Sequence, residues 1–261
     1  MHLQLEGKRA LVTGSTAGIG FAIAQVLASE GASVIINGRT RHRGKAAIRN
    51  LGTRVEPQGL AADLGTAAGA EEAIARFPEV EILVNNLGIY EAKPFEEIPD
   101  QDWLRLFEFN VLSGVRLSRH YLPLMKRRNW GRIVFISSES AVQIPSEMIH
   151  HGMTKTAQVA IARGLAEITA GAGVTVNSVL AGPTASEGVK DFVQQVAASR
   201  KTNSQAVEKE FFNSVRPTSL LKRFASPEEV AAVVGFVCSP LSSATNRAAV
   251  RADGGVVRAV L

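Results

Sequence analysis

Cysteine is nearly absent from this 261-residue chain, which contains a single one, Cys238. One cysteine forms neither an intrachain disulfide nor a cysteine-based metal site, and such scarcity suits a reducing cytoplasm. We therefore predict no bound metal and interpret Cys238 as a small buried hydrophobic residue.

Long hydrophobic runs are also absent. No apolar stretch reaches the roughly 18 residues that span a bilayer, and residues 1–9 alternate apolar with polar side chains instead of forming a signal-peptide core. We expect a soluble cytoplasmic protein with no membrane partner. No Pro-, Ser- or Gly-rich linker, repeat or low-complexity tract interrupts the chain, so we expect one domain over residues 1–261.

Short β-branched apolar runs alternate with longer helical patterns along the whole chain. This alternation predicts an α/β fold, a doubly wound parallel sheet with helices on both faces, because strands covered on both sides are apolar throughout. The predicted strands are Ala10–Val12, Ser33–Ile36, Ile82–Val84, Arg132–Ile136 and Val174–Val179. The predicted helices are Gly18–Glu30, Thr40–Leu51, Ala67–Phe77, Asp100–Lys126, His150–Gly171 and Pro227–Val237.

The polar segment 185–221 departs from this alternation. Its pattern predicts two helical pieces, and it follows the carboxyl end of a predicted strand. Ligands of open α/β sheets bind at that edge, so we expect this segment to act as a lid over a substrate.

A glycine-rich turn, Thr13–Gly20, joins the first strand to the first helix. Glycines let the backbone approach a pyrophosphate, which the free N–H groups and the dipole of the helix N-terminus hold. The strand before the turn and the helix after it make this pattern more specific than glycines alone. The predicted phosphate-binding residues are Gly14, Ser15, Gly18, Ile19 and Gly20.

Further motifs follow in a fixed order, and together they resemble the short-chain dehydrogenase/reductase family over essentially the whole chain. They are Asp63-Leu64, Asn85-Asn86-Leu87-Gly88, Asn110, Ser137-Ser138, Lys155 and Asp253-Gly254-Gly255. The resemblance implies a Rossmann-type sheet of about seven strands. It also implies a nicotinamide cofactor, with Asp63 and Leu64 near the adenine, Asn86 and Gly88 near the adenosine ribose, and Gly182, Thr184 and Ser186 at the nicotinamide end.

The end of the second predicted strand indicates which nicotinamide cofactor is used. It reads Ile36-Asn37-Gly38-Arg39, with no acid to accept hydrogen bonds from a ribose 2′-hydroxyl. Arg39 instead offers a guanidinium suited to a 2′-phosphate, which favours NADP(H) over NAD(H). We interpret the basic residues that follow as a solvated face. We predict no nucleic-acid partner, because aromatic residues are not interleaved with them.

The catalytic motif lacks its tyrosine. Family members use a Ser to hold the substrate oxygen, a Tyr to exchange the proton and a Lys to bind the cofactor ribose, with an Asn that shapes a helix and a water path. Counting back four residues from Lys155 reaches His151, and Ser138 lies thirteen residues earlier. The predicted catalytic residues are Asn110, Ser138, His151 and Lys155.

His151 permits three interpretations. Imidazole is a competent acid or base, but the nearby Lys155 ammonium should lower its pKa, so it would accept a proton from an alcohol more readily than donate one to a ketone. Alternatively, the chain binds cofactor with little turnover, or a lyase or isomerase uses His151 and Lys155. The neighbouring His150 points about 100° away on a helix, and we interpret it as a surface or packing residue.

The sequence does not determine the cofactor affinity, the substrate or the exact oligomeric state. Ala181 replaces the family's usual proline before Gly182, and Leu87 replaces a small residue, which leaves cofactor affinity unsettled. The substrate is expected to be a small carbonyl compound or alcohol of unspecified structure. The resemblance also implies a homotetramer or homodimer built on the helices predicted over Asp100–Lys126 and His150–Gly171. Four alanines in the second of them suit close helix approach: Ala157, Ala160, Ala162 and Ala166.

Overall fold

The computed structural model describes residues 2–52 and 56–260, so residues 1, 53–55 and 261 of the expected domain lie outside the described part. Within it, seven strands form one parallel sheet in the order β3-β2-β1-β4-β5-β6-β7. The strands are β1 (Arg9–Val12), β2 (Ser33–Gly38), β3 (Gln58–Ala61), β4 (Ile82–Asn85), β5 (Gly131–Ser138), β6 (Val174–Ala181) and β7 (Ala249–Ala252). The α/β doubly wound fold predicted from the alternation is confirmed.

Helices cover both faces of this sheet. The α-helices are α1 (Gly18–Ser29), α2 (Arg41–Leu51), α3 (Ala67–Arg76), α4 (Asp100–Phe107), α5 (Ser113–Arg127), α6 (Ile149–Glu167), α7 (Glu187–Ser199), α8 (Ser204–Glu210) and α9 (Pro227–Cys238). Single 3-10 turns lie at Phe95–Glu97, Glu139–Ala141, Ser146–Met148 and Pro240–Ser242, and π-helical turns at Glu108–Leu112 and Phe211–Val215. The two helical pieces predicted within 185–221 are α7 and α8.

Alternate residues of the strands pack into two separate hydrophobic cores, because successive side chains of a β-strand point to opposite faces of the sheet. In β5, Val134 and Ile136 pack with α1, α2 and α9, while Ile133 and Phe135 pack with α3, α5 and α6. Cys238 is fully buried in the first core, as expected for a small hydrophobic residue. Both sheet faces are therefore apolar, which explains the continuous apolar runs in the central strands.

The sequence pattern did not locate two edge strands or an interruption in one helix. β3 and β7 each pair on one side only and are partly exposed, so they lack a continuous apolar run. The helix expected over Asp100–Lys126 is helical along its whole length, as α4, a π-helical turn at Glu108–Leu112 and α5 in direct succession. The helix expected to reach Gly171 ends at Glu167, and Gly171 adopts a positive φ of 78°.

Among the described residues, no helix is both long enough and apolar enough to cross a membrane.

Candidate active site

The glycine turn lies at the carboxyl edge of the sheet, between β1 and α1. Gly14 and Gly18 have positive φ angles, and a Cβ added at Gly20 would lie 2.4 Å from the Gly14 carbonyl oxygen. Ala17 precedes α1 without a side-chain cap, so no side chain satisfies the first N–H groups of this helix. Such a helix N-terminus suits a phosphate group.

Two buried polar residues support the turn from below. Ser15 is fully buried, and its hydroxyl donates to the Val12 carbonyl oxygen at 2.7 Å and accepts from the Asn37 N–H at 2.9 Å. The Asn37 Oδ1 accepts from the Gly14 N–H at 2.9 Å, and its Nδ2 donates to Leu60 and Ala62 carbonyl oxygens. Ser15, predicted to contact a phosphate, therefore lies beneath the turn. Asn37 was missed, although a polar residue inside an apolar strand was its signal.

A cleft of about 470 Å³ opens above this turn, and we call it the glycine cleft. Its lining residues are Ala17–Gly20, Arg43, Asn86, Ser186–Gly188 and Asp191. The predicted residues Gly18, Ile19, Gly20, Asn86 and Ser186 thus come together there. Arg43, which the sequence pattern assigned to a solvated basic face, also lines the cleft, while Arg39 is exposed at the end of β2.

The loop after β4 forms the next side of the site. The Asn86 Nδ2 donates to the carbonyl oxygens of Thr13 and Gly14 at 2.9 and 3.2 Å, which ties this loop to the glycine turn. Leu87 packs against the Gly14 position, 3.2 Å from where a Cβ would stand. A Cβ at Gly88 would lie 3.4 Å from Lys155 Nζ, so Gly88 connects the glycine cleft with the predicted catalytic residues.

The residues predicted near the adenine occupy two different environments. Asp63 is half-buried, and its Oδ1 accepts from the Gly65 N–H at 3.1 Å. The Leu64 side chain is 1% exposed and belongs to the core. Leu64 is therefore a core residue, and Asp63 is the one of the two that solvent reaches.

The loop after β6 closes the opposite side. Ala181 is the last residue of β6 and lies opposite Ala252 of β7, and the next residue, Gly182, donates its N–H to the Ala252 carbonyl oxygen at 3.0 Å. A Cβ at Gly182 would lie 2.6 Å from the Asp253 carbonyl oxygen, so only glycine fits. The Thr184 hydroxyl donates to the Gly182 carbonyl oxygen at 2.9 Å.

Lys155 lies buried on α6 beside a π-helical turn. Its Nζ donates to the Ile136 carbonyl oxygen at 3.0 Å and to Gln158 Oε1 at 3.2 Å. Burial lowers the pKa of Lys155 to about 8, although the negative charge of Glu139 acts to raise it. The π-helical turn carries Asn110, whose backbone carbonyl oxygen accepts from Gln158 Nε2 at 2.6 Å. This turn explains why the long helix is interrupted at the predicted asparagine.

His151, one turn before Lys155, is held by the loop after β4. Its Nδ1 lies 3.3 Å from the Ile89 carbonyl oxygen, a contact that requires Nδ1–H because a carbonyl only accepts. The pKa of His151 is lowered to about 3, first by burial and then by the positive charge of Lys155. The effect of Lys155 could be expected from its spacing, whereas the larger effect of burial depends on the tertiary structure. His151 is therefore neutral at pH 7.

This low pKa has a consequence for stability. Between pH 6.5 and 3 the unfolded chain binds a proton at His151 that the folded chain does not, so stability falls as pH falls through this window. His151→Phe should remove up to about 1.4 kcal/mol per pH unit of that fall. Urea unfolding at several pH values measures this, with His42→Phe on the exposed face of α2 as the control. Parallel pH profiles for wild type and His151→Phe would contradict the assignment.

The neighbouring His150 is a packing residue, as one of the two sequence interpretations expected. It is fully buried with its ring 5.8 Å from that of Trp103, and neither ring nitrogen has a hydrogen-bond partner among the described residues. Burial lowers its pKa.

Ser138 ends β5 and donates its hydroxyl hydrogen to the Glu139 carboxylate. Glu139 in turn accepts from Arg216 Nε at 3.0 Å, and both charged side chains are buried. This pair was not predicted from the sequence. A charged residue directly after an apolar strand was the signal for Glu139, but no local pattern links it with Arg216, 77 residues away.

These residues fit a dinucleotide whose reactive end reaches Ser138 and Lys155. The uncapped N-terminus of α1 would hold the phosphates, and Gly88 lies between Asn86 of the glycine cleft and Lys155. Such a cofactor, when bound, accepts or supplies a hydride. Among the described residues, no three His, Cys, Asp or Glu side chains come together as a metal site.

Comparison with known proteins agrees with this geometry. The sequence profile of the short chain dehydrogenase family matches residues 8–197. The chain is 49% identical to the "Uncharacterized oxidoreductase YvaG" of Bacillus subtilis, covering 100% of both chains. It is 31% identical to D-beta-hydroxybutyrate dehydrogenase of Cupriavidus necator, covering 97% of this chain and 99% of that protein.

A solved structure shares the fold. L-sorbose reductase from Gluconobacter frateurii, complexed with NADPH and L-sorbose, superposes with a TM-score of 0.94 at 28% identity, over 100% of both chains. Its bound NADPH, together with the fit of the glycine cleft, points to a nicotinamide cofactor. The chain belongs to the short-chain dehydrogenase family and is an oxidoreductase of that family.

Proposed function

We propose that the protein is an NADP(H)-dependent oxidoreductase that transfers a hydride between nicotinamide and a ketone or secondary alcohol. The observation that carries this proposal is the meeting of Lys155 and Asn110 beside Gly88, next to Asn86 of the glycine cleft. Lys155 also contacts the Ile136 carbonyl oxygen, two residues before Ser138 on β5. Ser138 holds the substrate oxygen, Lys155 binds the cofactor ribose, and Asn110 shapes the helix beside them.

Turnover of NADPH and NADP⁺ with a panel of small ketones and secondary alcohols tests this function. The D-beta-hydroxybutyrate and L-sorbose named for two related proteins are natural members of the panel. We expect turnover with at least one member. Cofactor binding without any turnover would favour the alternative, a cofactor-binding protein with little redox activity. The low pKa of His151 is the observation that supports this second candidate.

The preference for NADP(H) rests on positive charge near the end of β2. Arg39 is exposed there, and Arg43 lines the glycine cleft. Asn37 stands near where an acid would bind a ribose 2′-hydroxyl, but its side chain hydrogen-bonds to Gly14, Leu60 and Ala62 within the protein. Arg39 and Arg43 together offer two guanidinium groups to a 2′-phosphate, and each such charge-assisted contact is worth about 1.5–3 kcal/mol.

Arg39→Ala should therefore raise the Kd for NADPH roughly tenfold to 100-fold and leave the Kd for NADH nearly unchanged. Fluorescence titration with both cofactors measures the two constants. Arg49→Ala removes one positive charge from the far end of α2 and serves as the matched control. Equal weakening of NADPH and NADH binding would show that Arg39 does not recognise the 2′-phosphate.

His151 occupies the acid/base position as a neutral imidazole. With Nδ1–H directed at Ile89, only Nε2 is left, and it accepts a proton but does not donate one. This protonation state supports alcohol oxidation more than ketone reduction. A group with a pKa of about 3 is nevertheless a weak base, so His151 supplies little of the proton transfer in either direction.

Segment 185–221, which carries α7 and α8, acts as the lid of a single domain. Hydrogen bonds between Ala185 and Ala225 and between Ala225 and Pro183 fix its base. The Ser186 Cβ lies 3.5 Å from where a Cβ of Gly18 would stand, so the lid already meets the glycine turn. Closure over the glycine cleft would exclude water from the reacting atoms.

The protein assembles as a homodimer or homotetramer through α5 and α6. An apolar groove of about 270 Å³ lies between these helices. Its lining residues are Val115, Ser118, Arg119, Leu122, Pro123, Ile161, Leu165 and Ile168. Ala157 and Ala160 remain partly or fully exposed beside it, whereas Ala162 and Ala166 are used within the chain. The mass in solution tests this assembly.

A further inference from the structure

The carboxylate of Glu139 is the one acidic group that contacts the hydroxyl of Ser138 within the described residues. Its Oε2 accepts from the Ser138 hydroxyl and from the Ser140 N–H at 3.0 Å, and its Oε1 accepts from Arg216 Nε at 3.0 Å. The Glu139 side chain is only 5% exposed. A buried carboxylate held on both oxygens has a fixed position relative to the hydroxyl that binds the substrate.

The other groups near the substrate oxygen are poorly suited to move its proton. His151 is neutral and directs Nδ1–H at the Ile89 carbonyl oxygen. Lys155 directs its ammonium at the Ile136 carbonyl oxygen and Gln158 Oε1. Tyr121 donates to the Phe77 carbonyl oxygen in the core. Tyr90 packs edge-to-face against the His151 ring, with centroids 6.0 Å apart, but it is mostly exposed and its hydroxyl makes no hydrogen bond to Ser138 within the described residues.

We propose that Glu139 exchanges the reaction proton through the hydroxyl of Ser138, in place of the missing tyrosine. The proposal rests on the proposed redox function and adds the route of the proton. It assigns an acid/base role to a residue outside the Ser, Tyr and Lys set of the family motif.

The step balances in both directions. In oxidation, the substrate C–H bond breaks and its electron pair leaves as hydride to the nicotinamide, while the C–O bond becomes a carbonyl. The substrate O–H proton passes to Ser138 Oγ, and the Ser138 proton passes to Glu139 Oε2. Glu139 then releases the proton to water. In reduction, the protonated Glu139 returns a proton to Ser138, which donates its own to the carbonyl oxygen.

The groups that face Glu139 come from the lid, from α6 and from the 3-10 turn before α6. Arg216 from the lid and the Lys155 ammonium from α6 face the carboxylate, and neutral His151 lies on the same helix. Glu147 shares Arg216 through an Nη1 contact of 3.1 Å, so Arg216 does not neutralise Glu139 alone. Because Arg216 belongs to segment 185–221, movement of the lid would change the charge beside the proton acceptor.

Glu139→Gln tests the relay in two backgrounds, wild type and His151→Tyr. In the wild-type background we expect kcat to fall at least tenfold, and the loss of oxidation rate at acid pH to disappear, because glutamine takes up no proton. In the His151→Tyr background tyrosine exchanges the proton, so the same substitution should change kcat by less than threefold. The NADPH Kd and the Tm separate these effects from loss of binding or folding.

Glu147→Gln is the matched control, since it removes an Arg216 contact without touching Ser138, and it should leave kcat within twofold. Equal losses from Glu139→Gln in both backgrounds, or an equal loss from Glu147→Gln, would overturn the relay. If the His151→Tyr protein turns over and the wild type does not, the relay is overturned. The proposed binding of cofactor and substrate would still stand. No turnover by any of the proteins would overturn the proposed function and the relay with it.

Discussion

His151→Tyr is expected to raise the rate of ketone reduction by NADPH at pH 7 about 100-fold. General acid catalysis by a well-placed side chain contributes roughly 10²–10⁴ in rate. A phenol, with an ordinary pKa of about 10, carries its proton at pH 7, and the adjacent Lys155 would lower that pKa towards neutrality. His151, with a pKa of about 3, carries no proton to donate on Nε2.

Steady-state kinetics across pH 5 to pH 9, with each protein saturated in NADPH, measure this gain. His151→Phe is the matched control, because it has the ring of tyrosine without the hydroxyl, and it should show no gain. A decrease in rate with tyrosine, or loss of an optimum at acid pH, would mean instead that histidine is the working acid/base group.

Lys155→Met is expected to abolish measurable turnover and at the same time stabilise the cofactor-free protein. The buried ammonium is unfavourable, which is why burial lowers the pKa of Lys155 to about 8. Below pH 8 the folded state carries this unfavourable charge. Between pH 8 and the ordinary value of 10.5 the unfolded state binds more protons, so the free energy of unfolding of the wild type rises with pH over this window.

Methionine fills a similar volume without charge, so the free energy of unfolding at pH 7 should rise by up to about 3 kcal/mol. Loss of the hydrogen bonds to Ile136 and Gln158 reduces this gain. Loss of ribose binding and of the nearby positive charge should lower kcat/KM by roughly 10²–10⁴. Calorimetry from pH 7 to pH 10.5 measures stability, with the surface variant Lys126→Met as the control. A destabilised Lys155→Met protein would show that the hydrogen bonds outweigh the burial of charge.

Much of the site could be predicted because its signals are local. The residues that identify the glycine turn between β1 and α1 lie within eight positions of one another, and the spacing of His151 and Lys155 places them one helical turn apart. The position four residues before Lys155 can be read from the sequence alone as His151, and the two tyrosines, Tyr90 and Tyr121, lie at least 30 residues away along the chain. The continuous apolar runs of the central strands are local signals too, and they predicted the parallel sheet.

Other features depend on residues that are distant in the sequence. Arg216 reaches Glu139 across 77 residues, and Arg43 lines the glycine cleft only because α2 packs beside α1. The role of Asn37 requires β3 as its neighbour, and β3 itself is too exposed to show an apolar run.

The sequence by itself determined the fold class, the order of the cofactor and catalytic motifs, and the spacing that places His151 four residues before Lys155. These features depend on residue types and on spacings of a few residues, which predict strands, turns and helices without knowledge of distant contacts. Only the tertiary structure decided that His151 is neutral, that Ser15 lies below the glycine turn, and that Ser138 contacts a buried carboxylate. Burial and charge pairing set these properties, and both are created by long-range packing.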